Sequence, residues 1–376
     1  MSMKRVVVLY GGRSSEHSIS CVSAGSALKA IDRTLFEPVA IGITKQGEWI
    51  ISNTDPTSYS LDSLPELTAD EKSRPVVIDF TAHGDGFFVG EPGTVGKPVS
   101  EQNLQPLGHV DAVFPVLHGL GGEDGAIQGM LETLGVPYVG CGIFASAAGI
   151  DKRFTKVILK AAGIPVAPGF ALDARTLDAA SHFEANKEQI LARVEKEGLA
   201  FPLFVKPGDG GSSIGVSRVD NLEELLPALW LAAGYDHEII IEKCITAREI
   251  ECAVLSLDQT VEPQTAWPGE VVNESDTFYD FEQKYQSSST SHAQVPADLP
   301  QETLQKVRDV ASRAFTALNG RGLMRVDCFV EPDGTVMVNE VNTMPGFTAI
   351  SMWPMAWEHM GLSYTDAITQ LINSSL

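Results

Sequence analysis

The sequence lacks the features of a disulfide-bonded, zinc-binding or membrane-spanning protein. It has five cysteines, an odd number, and no two of them form a C-x-x-C pair. This pattern indicates buried thiols in a reducing compartment and not a set of disulfides or a zinc site. No stretch approaches the roughly 18 consecutive apolar residues of a spanning helix. The apolar run after Lys4 and Arg5 is too short for the core of a signal peptide. We therefore expect a soluble, cytoplasmic protein without a membrane partner.

Positive charge is also scarce. The 376 residues include 27 Lys and Arg against 49 Asp and Glu, which gives a formal net charge of −22. A nucleic-acid partner is not expected, because phosphate contacts need a basic surface. A nucleotide site remains compatible with this charge, since it needs only a few Lys and Arg. The length predicts two or three domains with ample core.

The first strand is followed by glycines that do not match a dinucleotide-binding motif. Arg5 to Tyr10 is apolar throughout, as expected of a buried parallel strand, and the Gly11-Gly12 turn after it is not G-x-G-x-x-G. Strand, turn and a helix from about Glu16 place backbone N–H groups at the mouth of a ligand crevice. Glu16 either contacts a ligand there or only favours the helix dipole.

Two more stretches complete the N-terminal region. Ala112 to Leu117 predicts a strand, and His118 follows it in a glycine-rich loop, which makes this histidine a candidate for shaping a ligand site. Residues 45 to 105 contain short strand-like pieces with several Pro and Gly. We interpret them as an insertion or irregular extension and predict no function for them.

The central part of the chain contains a candidate phosphate-binding loop. One helix is predicted from about Phe144 to Ala162 and includes Lys152, while a strand from Ala200 ends at Lys206. The Gly/Ser-rich loop 208–215 that follows is not a Walker A motif, but such a loop can bring backbone N–H groups close around phosphates. The alternative is a mobile surface hairpin.

A long polar stretch, residues 273–294, contains Lys284 and Tyr285. Loops of this length in a compact domain are often lids over an active site. The alternative is plain disorder.

The most informative stretch is a predicted hairpin with four polar residues in apolar strands. Arg325 and Asp327 lie two residues apart on the first strand, and Glu340 and Asn342 lie two apart on the second, so each pair shares a face. A turn of even length at 331–334 places all four on one face, and an odd one separates them. Two carboxylates and an amide oxygen suit Mg²⁺ together with substrate phosphates, and the arginine can hold an anion. The alternative is a structural salt-bridged hairpin.

Taken together, these motifs resemble the D-alanine–D-alanine ligase family of the ATP-grasp superfamily. The resemblance implies an α/β protein with a three-domain ATP-grasp fold: an N-terminal parallel-sheet domain (1–140), and central (141–240) and C-terminal (241–376) α+β domains that clamp ATP. It runs from residue 11 to residue 347. The matching motifs are GGRSSEHSIS, HGLGGEDGAIQG, DK at 151–152, VKPGDGGSSIGV, EKCITARE, FYDFEQKY and RVDCFV…VNEVNTMPGF.

The family also implies a two-step reaction. ATP phosphorylates the carboxylate of one D-alanine, and the amine of a second D-alanine attacks the acyl phosphate, so that phosphate leaves. The dipeptide is used for peptidoglycan precursor synthesis. The family further implies ATP as co-substrate, Mg²⁺ or Mn²⁺ (two ions per site), and a homodimer. The implied ATP-binding residues are Lys152, Lys206, Gly211, Ser213, Glu242, Lys243, Ile245, Glu249, Lys284 and Asn342. The implied metal ligands are Asp327, Glu340 and Asn342. The implied catalytic and substrate residues are Glu16, His118, Ser212, Tyr285, Arg325, Gly346, Ser351 and Met352.

Other functions remain possible at this point. A different ATP-grasp enzyme would use the same hairpin and phosphate loop to ligate another carboxylate to another amine. A catalytically silent nucleotide-binding protein need not retain all four polar residues of the hairpin. An NAD-dependent oxidoreductase is disfavoured by the missing glycine motif.

Overall fold

The computed structural model describes residues 3–176, 182–209, 214–272 and 292–376. Most of the predicted lid, 273–294, lies outside these ranges. Within them, no helix is long and apolar enough to cross a membrane. The predicted site residues outside the described ranges are Gly211, Ser212, Ser213, Lys284 and Tyr285.

The N-terminal domain is built on one sheet, and its strand order is β6-β5-β4-β3-β2-β1-β7. The strands are β1 (Lys4–Gly11), β2 (Phe36–Ile43), β3 (Trp49–Ile51), β4 (Arg74–Ile78), β5 (Phe87–Val89), β6 (Gln105–Pro106) and β7 (Ala112–Pro115), with helices α1 (His17–Ala30) and α2 (Ala126–Leu134). β1 runs parallel to both β2 and β7. Its residues from Val6 to Gly11 are buried, which explains its continuous apolar sequence.

The segment 45–105 is not irregular throughout. It contributes β3 to β6, which pair antiparallel and extend the sheet beyond β2. The expected parallel-sheet domain is therefore a mixed sheet. These strands are short and only partly buried, so the contrast between apolar and polar positions that identifies a strand is weak in their sequence.

The central domain is a smaller antiparallel sheet of order β10-β9-β11-β8, with two helices. It has a separate apolar core formed by both helices and the sheet. Its elements are β8 (Gly169–Asp173), α5 (His182–Lys196), β9 (Leu203–Pro207), β10 (Ser217–Val219), α6 (Leu222–Ala233) and β11 (Glu238–Lys243).

The C-terminal domain has a second antiparallel sheet of order β15-β14-β12-β16-β17, and β13 pairs separately with β12. Helix α7 (Gln301–Ala317) packs on this sheet through Val307, Ala311 and Phe315. The strands are β12 (Arg248–Ser256), β13 (Gln264–Thr265), β14 (Gly269–Val272), β15 (His292–Gln294), β16 (Gly322–Val330) and β17 (Val336–Asn342).

Several elements pack on a sheet other than the one nearest in sequence. Helices α3 (Ile143–Ile150) and α4 (Lys152–Ala161) join the core of the C-terminal sheet. β11 pairs within the central sheet and ends at Lys243. The terminal helices, α8 (Met352–His359) and α9 (Tyr364–Ser375), join the N-terminal core. Sequence order does not reveal these assignments, because an apolar helix face can pack on any sheet.

The single helix expected from Phe144 to Ala162 is broken in two. Asp151 has an extended backbone between α3 and α4, and its side chain accepts hydrogen bonds from the backbone N–H groups of Arg153 and Phe154. This is an N-cap, in which the side chain accepts hydrogen bonds from first-turn backbone N–H groups that have no acceptor within the helix. Lys152 is consequently the first residue of α4, and its side chain is buried.

Candidate active site

The hairpin of β16 and β17 brings the four predicted polar residues onto one face. The loop between the strands, 331–335, has odd length and pairs Val330 with Val336. A β-bulge at Asn339 then shifts the register, so that Asp327 pairs with Glu340 and Arg325 with Asn342. Without the extra residue, Asp327 would face Asn339, and Glu340 and Asn342 would point to the other side of the sheet.

These side chains form a compact charged cluster. Arg325 donates from Nε and Nη2 to the two carboxylate oxygens of Asp327, both at 2.7 Å. Its Nε is also 3.0 Å from an oxygen of Glu251, which lies opposite Asp327 on β12. Asn342 donates its amide N–H to Asp327 at 3.0 Å. Burial opposes the charge on Arg325, but the Asp327 and Glu251 carboxylates raise its pKa well above the ordinary value, so it stays cationic.

A second cluster of opposite charges lies between α4 and the central sheet. The Glu242 carboxylate is 2.7 Å from Lys206 Nζ and 2.5 Å from Lys156 Nζ, and all three side chains are less than 10% exposed. Burial lowers the pKa of Lys156 to about 8. Burial alone raises the pKa of Glu242, but Lys206 and Lys156 outweigh it and lower this pKa to about 2.

Sequence reasoning missed Lys156 and Glu251. Lys156 follows Lys152 by four residues, which places both on one face of a helix, and both are buried. That spacing was a usable signal for a cationic site. Glu251 alternates with apolar residues on β12, but its role depends on pairing with Asp327 across two strands, which no local pattern shows.

The two clusters are joined at the start of α4. Lys152 Nζ is 3.6 Å from a Glu340 oxygen, and its backbone N–H donates to the carbonyl of Gly208. Lys206 reaches Asn339 Oδ1 at 3.5 Å. The stem of the predicted phosphate loop is therefore held beside the bulge of the hairpin, with three lysines next to the carboxylates.

The other predicted nucleotide-binding residues that the structure describes lie at the end of β11 and in the segment that follows it. Lys243 ends β11, and its backbone N–H donates to the carbonyl of Pro168. Ile245 is partly buried in the connection between β11 and β12. Glu249 is exposed on β12, two residues before Glu251 and therefore on the same face.

A cavity of about 810 Å³ is lined by residues of the charged cluster and by residues of both the N-terminal and the C-terminal domain. Glu16 lines it and makes no capping hydrogen bond to α1, so capping does not account for this side chain. A Cβ built on Gly346 would lie 3.2 Å from Ser351 Oγ, which places these two close together. The predicted residues that line the cavity are Glu16, His118, Lys152, Arg325, Glu340, Asn342, Gly346, Ser351 and Met352.

His118 is hydrogen-bonded to the protein through both of its ring nitrogens. Nδ1 is 2.9 Å from the carbonyl oxygen of Met344, and Nε2 is 2.9 Å from Ser23 Oγ. Burial lowers the pKa of this histidine, which favours the neutral ring. The structure therefore assigns His118 to the wall of the cavity.

Comparison with known proteins gives matches along nearly the whole chain. Residues 5–141 match the family model described as "D-ala D-ala ligase N-terminus", and residues 158–373 match "D-ala D-ala ligase C-terminus". A D-alanine–D-alanine ligase of Bifidobacterium adolescentis is 52% identical over 385 aligned residues, covering 100% of both chains. That of Paenarthrobacter aurescens is 44% identical, covering 99% of this chain and 95% of its own.

Two solved structures are similar in fold. The VanG D-Ala:D-Ser ligase from Enterococcus faecalis superposes with a TM-score of 0.80 at 32% identity, covering 100% of both chains. The D-alanine–D-alanine ligase from Coxiella burnetii has a TM-score of 0.79 at 32% identity, covering 100% of this chain and 94% of its own.

Proposed function

The chain belongs to the D-alanine–D-alanine ligase family, and we propose that it joins two D-alanines in an ATP-dependent reaction that releases ADP and phosphate. The product serves peptidoglycan precursor synthesis. The observation that supports this function best is the pairing of Asp327 with Glu340 and of Arg325 with Asn342 between a lysine cluster and the Glu16-lined cavity. This arrangement supports a role for the lysines in binding phosphate, for Arg325 in binding an anion, and for the adjoining cavity in binding two small amino acids.

The first step is transfer of the γ-phosphoryl group to the carboxylate of the first D-alanine. A carboxylate oxygen attacks phosphorus, the bond to the bridging oxygen breaks, and ADP leaves. Lys152 and Lys206 hold the phosphates, since both are buried ammonium groups beside the hairpin. Glu242 and the backbone of Lys243 and Ile245 hold adenine.

In the second step, the amine of the second D-alanine attacks the carbonyl carbon of the acyl phosphate. Arg325 and the Gly346 N–H stabilise the oxygen anion of the tetrahedral intermediate, which is the largest single contribution in many acyl transfers. The C–O bond to phosphate then breaks, and the departing phosphate takes up the extra proton of the amine. Glu16 pairs with the ammonium of the first D-alanine. Ser351 and the Met352 N–H bind the carboxylate of the second D-alanine.

The donor atoms of the hairpin fit a hard divalent cation. Among the described residues, no group of three or more His, Cys, Asp or Glu side chains is arranged to hold a metal ion. The proposed protein ligands are therefore only two carboxylates and one amide oxygen, and phosphate oxygens of the substrate would provide further ligands. We propose Mg²⁺ or Mn²⁺, two ions per site, on Asp327, Glu340 and Asn342. When bound, these ions neutralise charge on the transferred phosphoryl group.

The remaining proposals rest on the family resemblance. Glu249 binds the ribose, and the loop residues Gly211 and Ser213 cover the phosphates. Lys284 reaches the transferred phosphate, while Ser212 and Tyr285 close a hydrogen-bonded network with Glu16. A cytoplasmic homodimer is proposed on the same basis.

The test is phosphate release from ATP and Mg²⁺ with D-alanine, run beside L-alanine, D-serine and D-alanine plus D-lactate, with the product mass. D-alanine alone is expected to give phosphate and a dipeptide mass. Preferential use of D-serine as the second substrate would instead match the E. faecalis relative. No release with any amino acid would contradict the proposed substrates.

A further inference from the structure

A residue outside the predicted set, Glu123, contacts the loop that carries the Gly346 N–H. Its Oε1 accepts a hydrogen bond from the backbone N–H of Met344 at 2.8 Å, across the interface between the N-terminal and C-terminal domains. Its Oε2 accepts from the N–H of Gly119 at 2.9 Å. Glu123 also lines the cavity, and its carboxyl group joins the glycine-rich loop after β7 to the segment after β17. Burial, together with the nearby Glu16 carboxylate, raises the pKa of Glu123 to about 8.

His118 holds the same residue from its other side, and the direction of each hydrogen bond can be assigned. The Met344 carbonyl can only accept, so His118 Nδ1 carries the ring proton and donates to it at 2.9 Å. Burial favours the neutral ring, and in that form His118 Nε2 accepts from the Ser23 hydroxyl at 2.9 Å. Ser23 Oγ in turn accepts from the Phe347 N–H at 3.4 Å.

These contacts leave one backbone donor in the loop. The N–H of Met344 goes to Glu123, Pro345 has no N–H, and the N–H of Phe347 goes to Ser23. The N–H of Gly346 has no acceptor among the residues that the structure describes. The residues on both sides of Gly346 are thus fixed by the N-terminal domain while its own N–H remains available.

We propose that Glu123 is a positioning residue which, opposite His118 and Ser23, holds the Met344–Phe347 loop so that the Gly346 N–H faces the developing oxygen anion. This inference rests on the proposed ligation and adds to it: the N-terminal domain orients a donor of the C-terminal domain. Loss of one donor of this kind slows acyl-transfer enzymes by about 10²–10³-fold. Misalignment is expected to have a smaller effect than removal.

The decisive variant is Glu123→Gln, which preserves volume but can accept only one of the two N–H groups and turns a donor toward the other. Asp124→Asn is the matched control, because Asp124 also accepts two backbone N–H groups in this loop, from Gly121 at 2.7 Å and Ala126 at 2.9 Å. Among the described residues, no hydrogen bond joins Asp124 to the C-terminal domain. We expect Glu123→Gln to lower kcat about 10- to 100-fold, which is less than the loss expected from removing an oxyanion donor, with KM for ATP nearly unchanged. The control should retain the wild-type kcat.

Two further readouts separate alignment from general loosening. A phosphinate dipeptide mimics the tetrahedral intermediate, so its affinity should fall with kcat in Glu123→Gln. Hydrogen–deuterium exchange of the Met344 amide should be faster in that variant than in Asp124→Asn. Ser23→Ala, which releases the loop from its other side, should lower kcat in the same direction and serves as the second variant if Glu123→Gln does not fold.

Specific outcomes would overturn the proposal. An unchanged kcat in Glu123→Gln would do so, as would equal losses in Glu123→Gln and Asp124→Asn, which would indicate a role in loop stability alone. If the wild-type protein releases no phosphate with D-alanine, the proposed function fails. If hydrogen–deuterium exchange of the Met344 amide is unchanged in Glu123→Gln, the positioning contact is refuted independently of activity.

Discussion

Replacement of Glu242 by Gln tests how the buried lysine cluster is stabilised. The substitution keeps the side-chain volume but leaves Lys206 and Lys156 without their shared counter-ion. The pKa of Glu242 falls from 4.5 to about 2 on folding, and at about 1.36 kcal/mol per pKa unit this corresponds to about 3 kcal/mol of stability. Breaking a buried ion pair by removing one partner costs about 3–5 kcal/mol, so the two approaches agree.

The pH dependence of this loss follows from the direction of each pKa change. Because the folded pKa of Glu242 is depressed, its contribution is complete above about 4.5 and is lost as the pH falls toward about 2. A measurement at pH 7 therefore records the full effect. In the wild type the pKa of Lys156 is lowered to about 8 by burial, although Glu242 raises it. Without Glu242 this pKa should fall further, so the loss should shrink between pH 7 and pH 9, because a neutral amine needs no counter-ion.

The assay is urea denaturation without ATP, followed by circular dichroism at both pH values. The double variant Lys156→Met/Glu242→Gln should recover part of the loss, since it removes one uncompensated ammonium. Glu302→Gln is the control, because Glu302 pairs with Lys306 on an exposed helix surface and should change stability little. A loss at pH 7 no larger than in this control, or a loss that does not shrink at pH 9, would refute the reasoning.

Two other predictions concern the hairpin and the domain interface. Glu340→Ala should abolish Mg²⁺-dependent phosphate release without unfolding the protein. The control Asp333→Ala, in the exposed turn of the same hairpin, should stay active. An active Glu340→Ala enzyme with unchanged Mg²⁺ dependence would exclude Glu340 as a metal ligand. Trp353→Ala should destabilise the fold by about 3–5 kcal/mol, because this side chain is fully buried and its indole N–H donates to the Val254 carbonyl. Trp230, which is 53% exposed, provides the control, and equal melting temperatures for the two Trp→Ala variants would contradict that estimate.

The sequence was sufficient for features that depend on neighbours along the chain. The apolar run of β1 predicts a strand buried on both faces, and the alternation around Arg325 and Asp327 predicts that they share a face. The family motifs, read from residue 11 to residue 347, implied the ligase family that the comparisons then showed. Strand formation and the face on which a side chain lies depend on residues only a few positions apart, so the local sequence is enough to predict them.

Tertiary structure decided the features that depend on pairing between distant segments. The odd loop 331–335 would by itself have separated the polar pairs, and the bulge at Asn339 corrects the register. The partners of Lys156, Glu251 and Glu123 lie on other elements, and α8 and α9 return to the N-terminal core. Strand register and helix packing are set by the burial of whole faces, which involves the entire chain at once, so these contacts have no local signature in the sequence.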